Sequence, residues 1–315
     1  MTRVAAVDVG TNSVRLLVAD PPDGGRQSGP PLVTVERRMT VTRLGSGVDA
    51  AGHLDDAALS RTLDCIGAYA DRWRDLGARR VRVAATSAIR DAADRDRFLR
   101  AVRERVGEDA EVLSGEDEGR LTFLGATASV DGVAPYLVLD IGGGSTEFIV
   151  GSGHPEAMTS LQLGCVRMTE RCLASDPPTA EELAAAVEVA DEQLEAVAEE
   201  FDPAGVATLI GVAGTVTTLG ALHLGLEEYQ AEEVHGTRLP AAAVAELTGL
   251  LAAMTAQERA DLGPMAPGRE DVIVAGALIL ERVVQRWGFG EVLVSEADIL
   301  DGLALSLLGS QKAAG

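Results

Sequence analysis

Two stretches of the sequence bring a carboxylate, small residues and hydroxyls to one bend: AVDVGTNSVRLLVAD at 6–20 and VLDIGGGSTEFIVGS at 138–152. In each, an apolar run ends in Asp-x-Gly (Asp8 and Gly10, then Asp140 and Gly142), small or polar residues follow, and a second apolar run begins. Backbone N–H groups and hydroxyls beside a carboxylate suit a metal-bound phosphate chain. The candidate phosphate contacts are therefore Gly10, Thr11, Asn12 and Ser13 in the first copy and Gly142, Gly143, Gly144, Ser145 and Thr146 in the second. Taken alone, the first bend is equally a tight hairpin shaped by Asp8 and Gly10. The second is more specific, because three consecutive glycines inside a strand pattern cost conformational entropy and permit close backbone approach by a ligand.

A second pair of segments runs from strand to helix through small residues: RVRVAATSAIRDAA at 80–93 and ATLIGVAGTVTTLG at 207–220, with Thr86-Ser87 opposite Gly214-Thr215. Arg90 either clamps a phosphate or pairs with Asp91 or Asp94, and Arg15 and Arg43 pose the same choice. In SGEDEGR at 114–120, Ser114 can cap a helix whose positive end Glu116, Asp117 and Glu118 would stabilise. Phosphoanhydride hydrolysis, however, needs a group that orients and deprotonates water, and with only four histidines a carboxylate is the natural choice. Glu118 is one candidate. Neither the histidines nor the three cysteines show metal-type spacing, so a metal would be held by carboxylates and be hard, such as Mg²⁺.

These segments need a scaffold, and an internal repeat supplies it. Asp8, Gly10 and Ser13 match Asp140, Gly142 and Ser145 at an offset of 132, and the order hairpin, third strand, helix, strand, helix recurs. A duplicated α/β domain with a cleft between the copies is expected. Helices are predicted over 55–76, 94–106 and 179–200, the last opened by a Thr179–Glu182 capping box; 21–31 reads as a hairpin loop and 129–135 as the crossing between halves. The length of 315 residues fits about two domains. Net charge is −22 and Lys312 is the only lysine, so the remaining 26 cations are arginines and a nucleic-acid backbone would be repelled. The longest apolar run, around Val272–Leu280, is too short to span a bilayer, and three cysteines without a pairing pattern fit a reducing cytoplasm.

The sequence resembles the exopolyphosphatase and guanosine pentaphosphate phosphatase (Ppx/GppA) family. AVDVGTNSVRLLV, VTRLGSGVDAAGHL, VAATSAIRDAADRDRFL, VLSGEDEGRLTFLGA, LVLDIGGGSTEFIVG, SLQLGCVRMTER, IGVAGTVTTLGAL, VHGTRL, EDVIVAGALIL and VLVSEADILDG stand in family order along nearly the whole chain. The resemblance implies a duplicated actin-like, ribonuclease H-like fold with an interdomain cleft: one domain over 1–132, completed by a C-terminal helix at 303–315, and another over 133–302. It implies Mg²⁺-dependent release of terminal phosphate, with Glu118 as catalytic residue and Asp140, Glu147 and Asp8 near the metal. Arg15, Thr86, Ser87, Arg90, Gly214 and Thr215 join the two bends in holding phosphate. A cytoplasmic homodimer is implied too.

Asp117, Gly119 and Asp94 depart from the family's usual residues without touching the proposed base, and Leu300-Asp301-Gly302 replaces a common Arg-Glu-Gly. The chain stops at 315, where longer relatives continue into a helical region, so short polyphosphate chains are the expected substrate. The alternatives are a guanosine pentaphosphate (pppGpp) phosphohydrolase, although no base-recognition group is evident in the sequence, and a non-catalytic polyphosphate or nucleotide sensor. An ATP-dependent kinase or chaperone is disfavoured by IGVAGTVTT, whose isolated Gly211 and Gly214 replace the double glycine usual where adenosine packs.

Overall fold

The computed structural model describes residues 2–22 and 31–309; most of the expected 21–31 loop and the last part of the expected 303–315 helix lie outside the described residues. The chain divides into two units, Met1–Ser129 with Ala297–Gly315, and Val130–Glu296. Ala297–Gly302, expected with the second domain, thus stands in the first unit.

The first unit contains β1 (Val4–Val9), β2 (Ser13–Asp20), β3 (Val33–Val41), α1 (Val48–Ala51), α2 (Asp56–Asp75) and β4 (Arg80–Ala85). It continues with α3 (Ser87–Asp91), α4 (Arg95–Val106), β5 (Ala110–Val112) and α5 (Gly115–Thr127). Its sheet has the order β3-β2-β1-β4-β5, with β1 antiparallel to β2 and parallel to β4. All six residues of β1 are buried, so both faces of the strand need cover. Successive side chains alternate in face. Accordingly Ala5, Val7 and Val9 share a core with Leu59, Ile66, Trp73 and Phe98 of α2 and α4, while Val4 and Ala6 join Leu121 of α5.

The second unit runs through β6 (Tyr136–Ile141), β7 (Thr146–Gly151), β8 (Pro155–Leu161), α6 (Cys165–Cys172), α7 (Ala180–Glu200) and β9 (Thr208–Val212). There follow α8 (Ala213–His223), α9 (Ala231–Val234), β10 (Arg238–Pro240), α10 (Ala241–Ala253), α11 (Ala256–Ala260), α12 (Ile273–Trp287) and β11 (Glu291–Val294). Its sheet order is β10-β11-β9-β6-β7-β8. Read from the other edge, β8-β7-β6-β9-β11 repeats β3-β2-β1-β4-β5, with β6 antiparallel to β7 and parallel to β9. The fold is a duplicated actin-like α/β fold. The Thr179–Glu182 capping box opens α7 as its sequence requires. Among the described residues, no helix is long and apolar enough to cross a membrane.

The last helix, α13 (Ile299–Gly309), returns to the first unit because α5 offers it a glycine seam. A Cβ on Gly302 would overlap the Leu121 carbonyl, and one on Gly125 would overlap that of Asp298. Ile299, Leu300, Leu303 and Ala304 complete the core around Val4, Ala6 and Leu17. Gly302→Ala is expected to lower the unfolding free energy by about 2 kcal/mol or more, since backbone on both sides must separate. Gly153→Ala, which would meet nothing within 4 Å, should stay within about 0.5 kcal/mol of the parent. Urea titration of the two variants side by side checks this.

Candidate active site

Both hairpin bends close in the same way. Gly10 N–H donates to the Ser13 carbonyl at 2.9 Å, and Gly142 N–H donates to that of Ser145 at 2.9 Å. The segment after the third strand then takes up the bend's carbonyls. In the first unit Thr42 and Arg43 N–H donate to Asn12 O at 3.0 and 2.9 Å, and Gly45 N–H to Thr11 O at 2.8 Å. In the second, Cys165 N–H donates to Gly142 O at 2.9 Å, Val166 and Arg167 N–H to Gly143 O at 2.9 and 3.1 Å, and Arg167 Nε to Gly144 O at 2.8 Å. Only glycine at 164 permits this, because a Cβ there would overlap the Gly143 carbonyl. C=O and N–H point in opposite directions across a trans peptide. The N–H groups of Asn12 and Ser13, and of Gly143, Gly144 and Ser145, are therefore turned away from the segments that bind the carbonyls, an arrangement able to receive an anion.

The registers give the two bends different charge. Asp8 pairs with Arg15 across β1 and β2, and Asp140 with Glu147 at the equivalent position of β6 and β7. Arg15 donates through Nε (3.0 Å) and Nη2 (2.7 Å) to Asp8 Oδ2 and through Nη1 to Asp298 Oδ2. Burial raises the Asp8 pKa against the pull of Arg15, and its Oδ1 is buried without a hydrogen-bond partner. Arg37 donates to Asp301 Oδ2 at 2.5 Å, and Asp298 N–H shares that oxygen at 3.0 Å. Arg15, expected on phosphate, is thus held between carboxylates, and Asp301 is one of the residues ordering them.

In the second unit Asp140 (6% exposed) and Glu147 (1% exposed) are both carboxylates, and Ser160 Oγ donates to Glu147 Oε1 at 2.8 Å. Like charges directly opposite on a sheet are destabilising, and a cation offsets the repulsion. Two carboxylates suffice for Mg²⁺, which keeps several waters and takes further oxygens from substrate phosphates. The donor set fits that ion, whereas among the described residues no three His, Cys, Asp or Glu side chains gather into a protein-only metal cage.

Ser114 caps α5 by accepting from Asp117 N–H at 3.0 Å, while Glu118, 7% exposed, is the buried acid of the first turn. Arg90 Nη1 donates to Glu118 Oε2 at 2.9 Å and to Leu113 O at 3.1 Å. Arg90 pairs with neither Asp91 nor Asp94 in these bonds; Asp94 accepts from Leu54 N–H at 3.1 Å. Thr86 and Ser87 are buried, and the Ser87 and Thr11 hydroxyls lie 2.8 Å apart, joining the strand-to-helix turn to the hairpin bend.

At the matching turn of the second unit, Arg269 covers Gly214, where a Cβ would overlap its guanidinium, and donates to Thr218 Oγ1 at 2.7 Å. Thr215 is packed beneath Gly276 of α12. The sequence reasoning missed Arg269 and Asp298. A signal for the first existed: between 130 and 296 the arginines are Arg167, Arg171, Arg238, Arg259, Arg269, Arg282 and Arg286, few enough that each warrants a role. Cys165 beside the triple glycine is no reactive thiol, since burial pushes its pKa up to about 11.

The description "Ppx/GppA phosphatase family" is that of a family model matching residues 23–311. The chain belongs to this family. Among its relatives, exopolyphosphatase 2 of Mycobacterium tuberculosis is 43% identical over 319 residues, covering 98% of this chain and 99% of that one. A guanosine-5'-triphosphate,3'-diphosphate pyrophosphatase of Photobacterium profundum is 35% identical over 227 residues, 71% of this chain and 44% of that one. The crystal structure of the Aquifex aeolicus Ppx/GppA family member superposes with a TM-score of 0.82 at 30% identity, covering 98% of both chains.

A strained backbone position of this Ppx/GppA chain lies at the start of α8. Ala213, joining β9 to α8, has φ 64°, in the left-handed region where a Cβ costs about 1–2 kcal/mol. Ala213→Gly is expected to raise the unfolding free energy by up to about 1 kcal/mol, part of the relief being lost to the freer unfolded chain. A lower denaturation midpoint at unchanged slope would show that Ala213 is not strained.

Proposed function

We propose that the protein is an exopolyphosphatase that releases terminal orthophosphate from inorganic polyphosphate, with short chains preferred and Mg²⁺ as the ion. The observation that carries this is the buried Glu118 held by Arg90, in a chain with two phosphate-sized bends. A water hydrogen-bonded to Glu118 would lose its proton to that carboxylate as it attacks the terminal phosphorus in line, and the bridging P–O bond breaks with the shortened chain as leaving group. Arg90 is then a positioning residue: it fixes one oxygen of Glu118 through Nη1. Mg²⁺ on Asp140 and Glu147 would neutralise phosphate charge. Asp8 spends Oδ2 on Arg15, and its buried Oδ1 is the acceptor it has left.

Within each unit the bend offers preorganised dipoles to phosphate: the Asn12 and Ser13 N–H groups with Thr11, Thr86 and Ser87 in the first, and the Gly143–Ser145 N–H groups with Thr146 and Thr215 in the second. The relative from Photobacterium profundum supports a second substrate, pppGpp, whose 5′-terminal phosphate would be removed by the same step. A cytoplasmic homodimer completes the proposal, pairing by twofold symmetry being the commonest oligomeric arrangement.

Purified protein should release orthophosphate from tripolyphosphate and longer polyphosphate with Mg²⁺, and not with excess chelator. Glu118→Gln should lower kcat by about 10²–10⁴-fold with little change in KM, the range for losing a general base. A fully active Glu118→Gln protein would falsify the assignment. Arg90→Ala should lower kcat about tenfold or more with little change in KM, because Glu118 loses the partner that orients it. Arg90→Lys should restore kcat in part; an unchanged kcat in both folded variants would leave Arg90 a structural residue only.

A further inference from the structure

Aromatic residues are only 3% of this chain, and among the described residues one ring is exposed: Tyr229, at 38%. The chain fixes it firmly. After α8 the backbone reverses at Gly225 (φ 67°), where Leu226 N–H returns to Ala221 O at 3.2 Å. The Glu227 carbonyl then packs so closely on Gly263 that a Cβ there would overlap it. Five residues past Tyr229, Val234 is fully buried in the core.

The surroundings of the ring are polar. Its hydroxyl donates to Glu296 Oε1, and Thr217 of α8 is near enough to act on it. Glu296 is held in turn by its N–H to His235 Nδ1 at 3.2 Å. Arg269 is near enough to act on the phenol electrostatically, and the same guanidinium covers Gly214 and bonds Thr218. Thr217 lies three residues beyond Gly214 on one helix, an axial separation of about 5 Å. An exposed, rigid ring with an acceptor carboxylate at its edge thus stands about one helical turn from the Gly214–Thr215 turn.

We propose that Tyr229 is the platform for the base of a nucleoside polyphosphate whose phosphates lie on the Gly214–Thr215 turn. This rests on taking that turn as a phosphate site, as above. A ring face stacks on any nucleobase, and the Glu296 carboxylate favours a base edge that presents N–H donors, as guanine does. Inorganic polyphosphate has no ring and gains nothing there. Tyr229 therefore separates the two substrate classes without taking part in the chemistry.

The test is calorimetric binding of GTP and of tripolyphosphate, with Mg²⁺, to Glu118→Gln protein so that neither ligand is consumed. Adding Tyr229→Ala should weaken GTP about tenfold, in the range of lost base–aromatic stacking, and leave tripolyphosphate unchanged. Adding Tyr229→Phe should retain GTP within about twofold, since the ring remains. Equal weakening of both ligands, unchanged GTP affinity without the ring, or no GTP binding by the parent overturns the proposal. Failure of the polyphosphatase assignment has its own signature, absent orthophosphate release from tripolyphosphate by the unsubstituted protein, and does not depend on these affinities.

Discussion

Each unit's candidate phosphate site depends on a four-residue bend closed by one backbone hydrogen bond, glycine N–H to serine carbonyl: Gly10 to Ser13 in the first unit and Gly142 to Ser145 in the second. That bond sets the hairpin register, and the register decides which side chain faces the strand-ending aspartate. Seven residues separate the partners in both copies, so Asp8 meets Arg15 and Asp140 meets Glu147. A one-residue slip would send every side chain of the second strand to the other face. In the first copy such a slip would take Arg15 away from both Asp8 and Asp298.

From the same register the two copies take opposite electrostatic tasks. In the first, Arg15 neutralises a buried aspartate and is itself gripped by Asp298, which α13 brings back to its unit. Truncating one partner of such a buried network leaves the others uncompensated, so the C-terminal helix supports the bend by charge as well as by its apolar face. In the second copy the facing residue is another carboxylate. Such a pair suits the hard cation of the proposed reaction, which a strongly anionic substrate would bring with it. The net charge of −22 is compatible with a polyphosphate ligand only on these terms, with backbone dipoles and metal supplying attraction that side chains mostly spend on one another.

Much of this was legible in the sequence. The Asp-x-Gly repeat, its offset and the strand order after it are local patterns, and local patterns survive folding; hence both sheets, the Ser114 cap and the α7 capping box stand where the residues place them. Glu118 could be nominated by elimination, but its burial and its Arg90 partner could not, since they depend on a strand-to-helix turn 28 residues away in sequence. Arg90 shows the limit well. Sequence proximity offers Asp91 and Asp94, and the helix geometry chooses neither. The domain border moved for a similar reason: Ala297–Gly302 continues from β11 along the chain, yet the Gly125–Gly302 seam lets α5 and α13 approach at backbone distance, and no periodicity encodes a contact of that kind.

Strain completes the account of why the bends hold their shape. Among the described residues, two non-glycine residues have positive φ, Arg43 at 53° and Ala213 at 64°, and each borders a proposed phosphate site of its own unit. Left-handed conformations of this sort persist only where neighbours over-determine them. For Arg43 the neighbours are visible: its N–H is committed to Asn12 O, and its carbonyl accepts Ser46 N–H at 3.2 Å. A relaxed φ at Arg43 would swing Gly45 N–H away from the Thr11 carbonyl and so free the orientation of the Asn12 N–H across the same peptide. The strain is therefore the cost of keeping the bend's carbonyls bound from behind, which leaves its N–H groups turned outward in the orientation the proposed phosphate site needs.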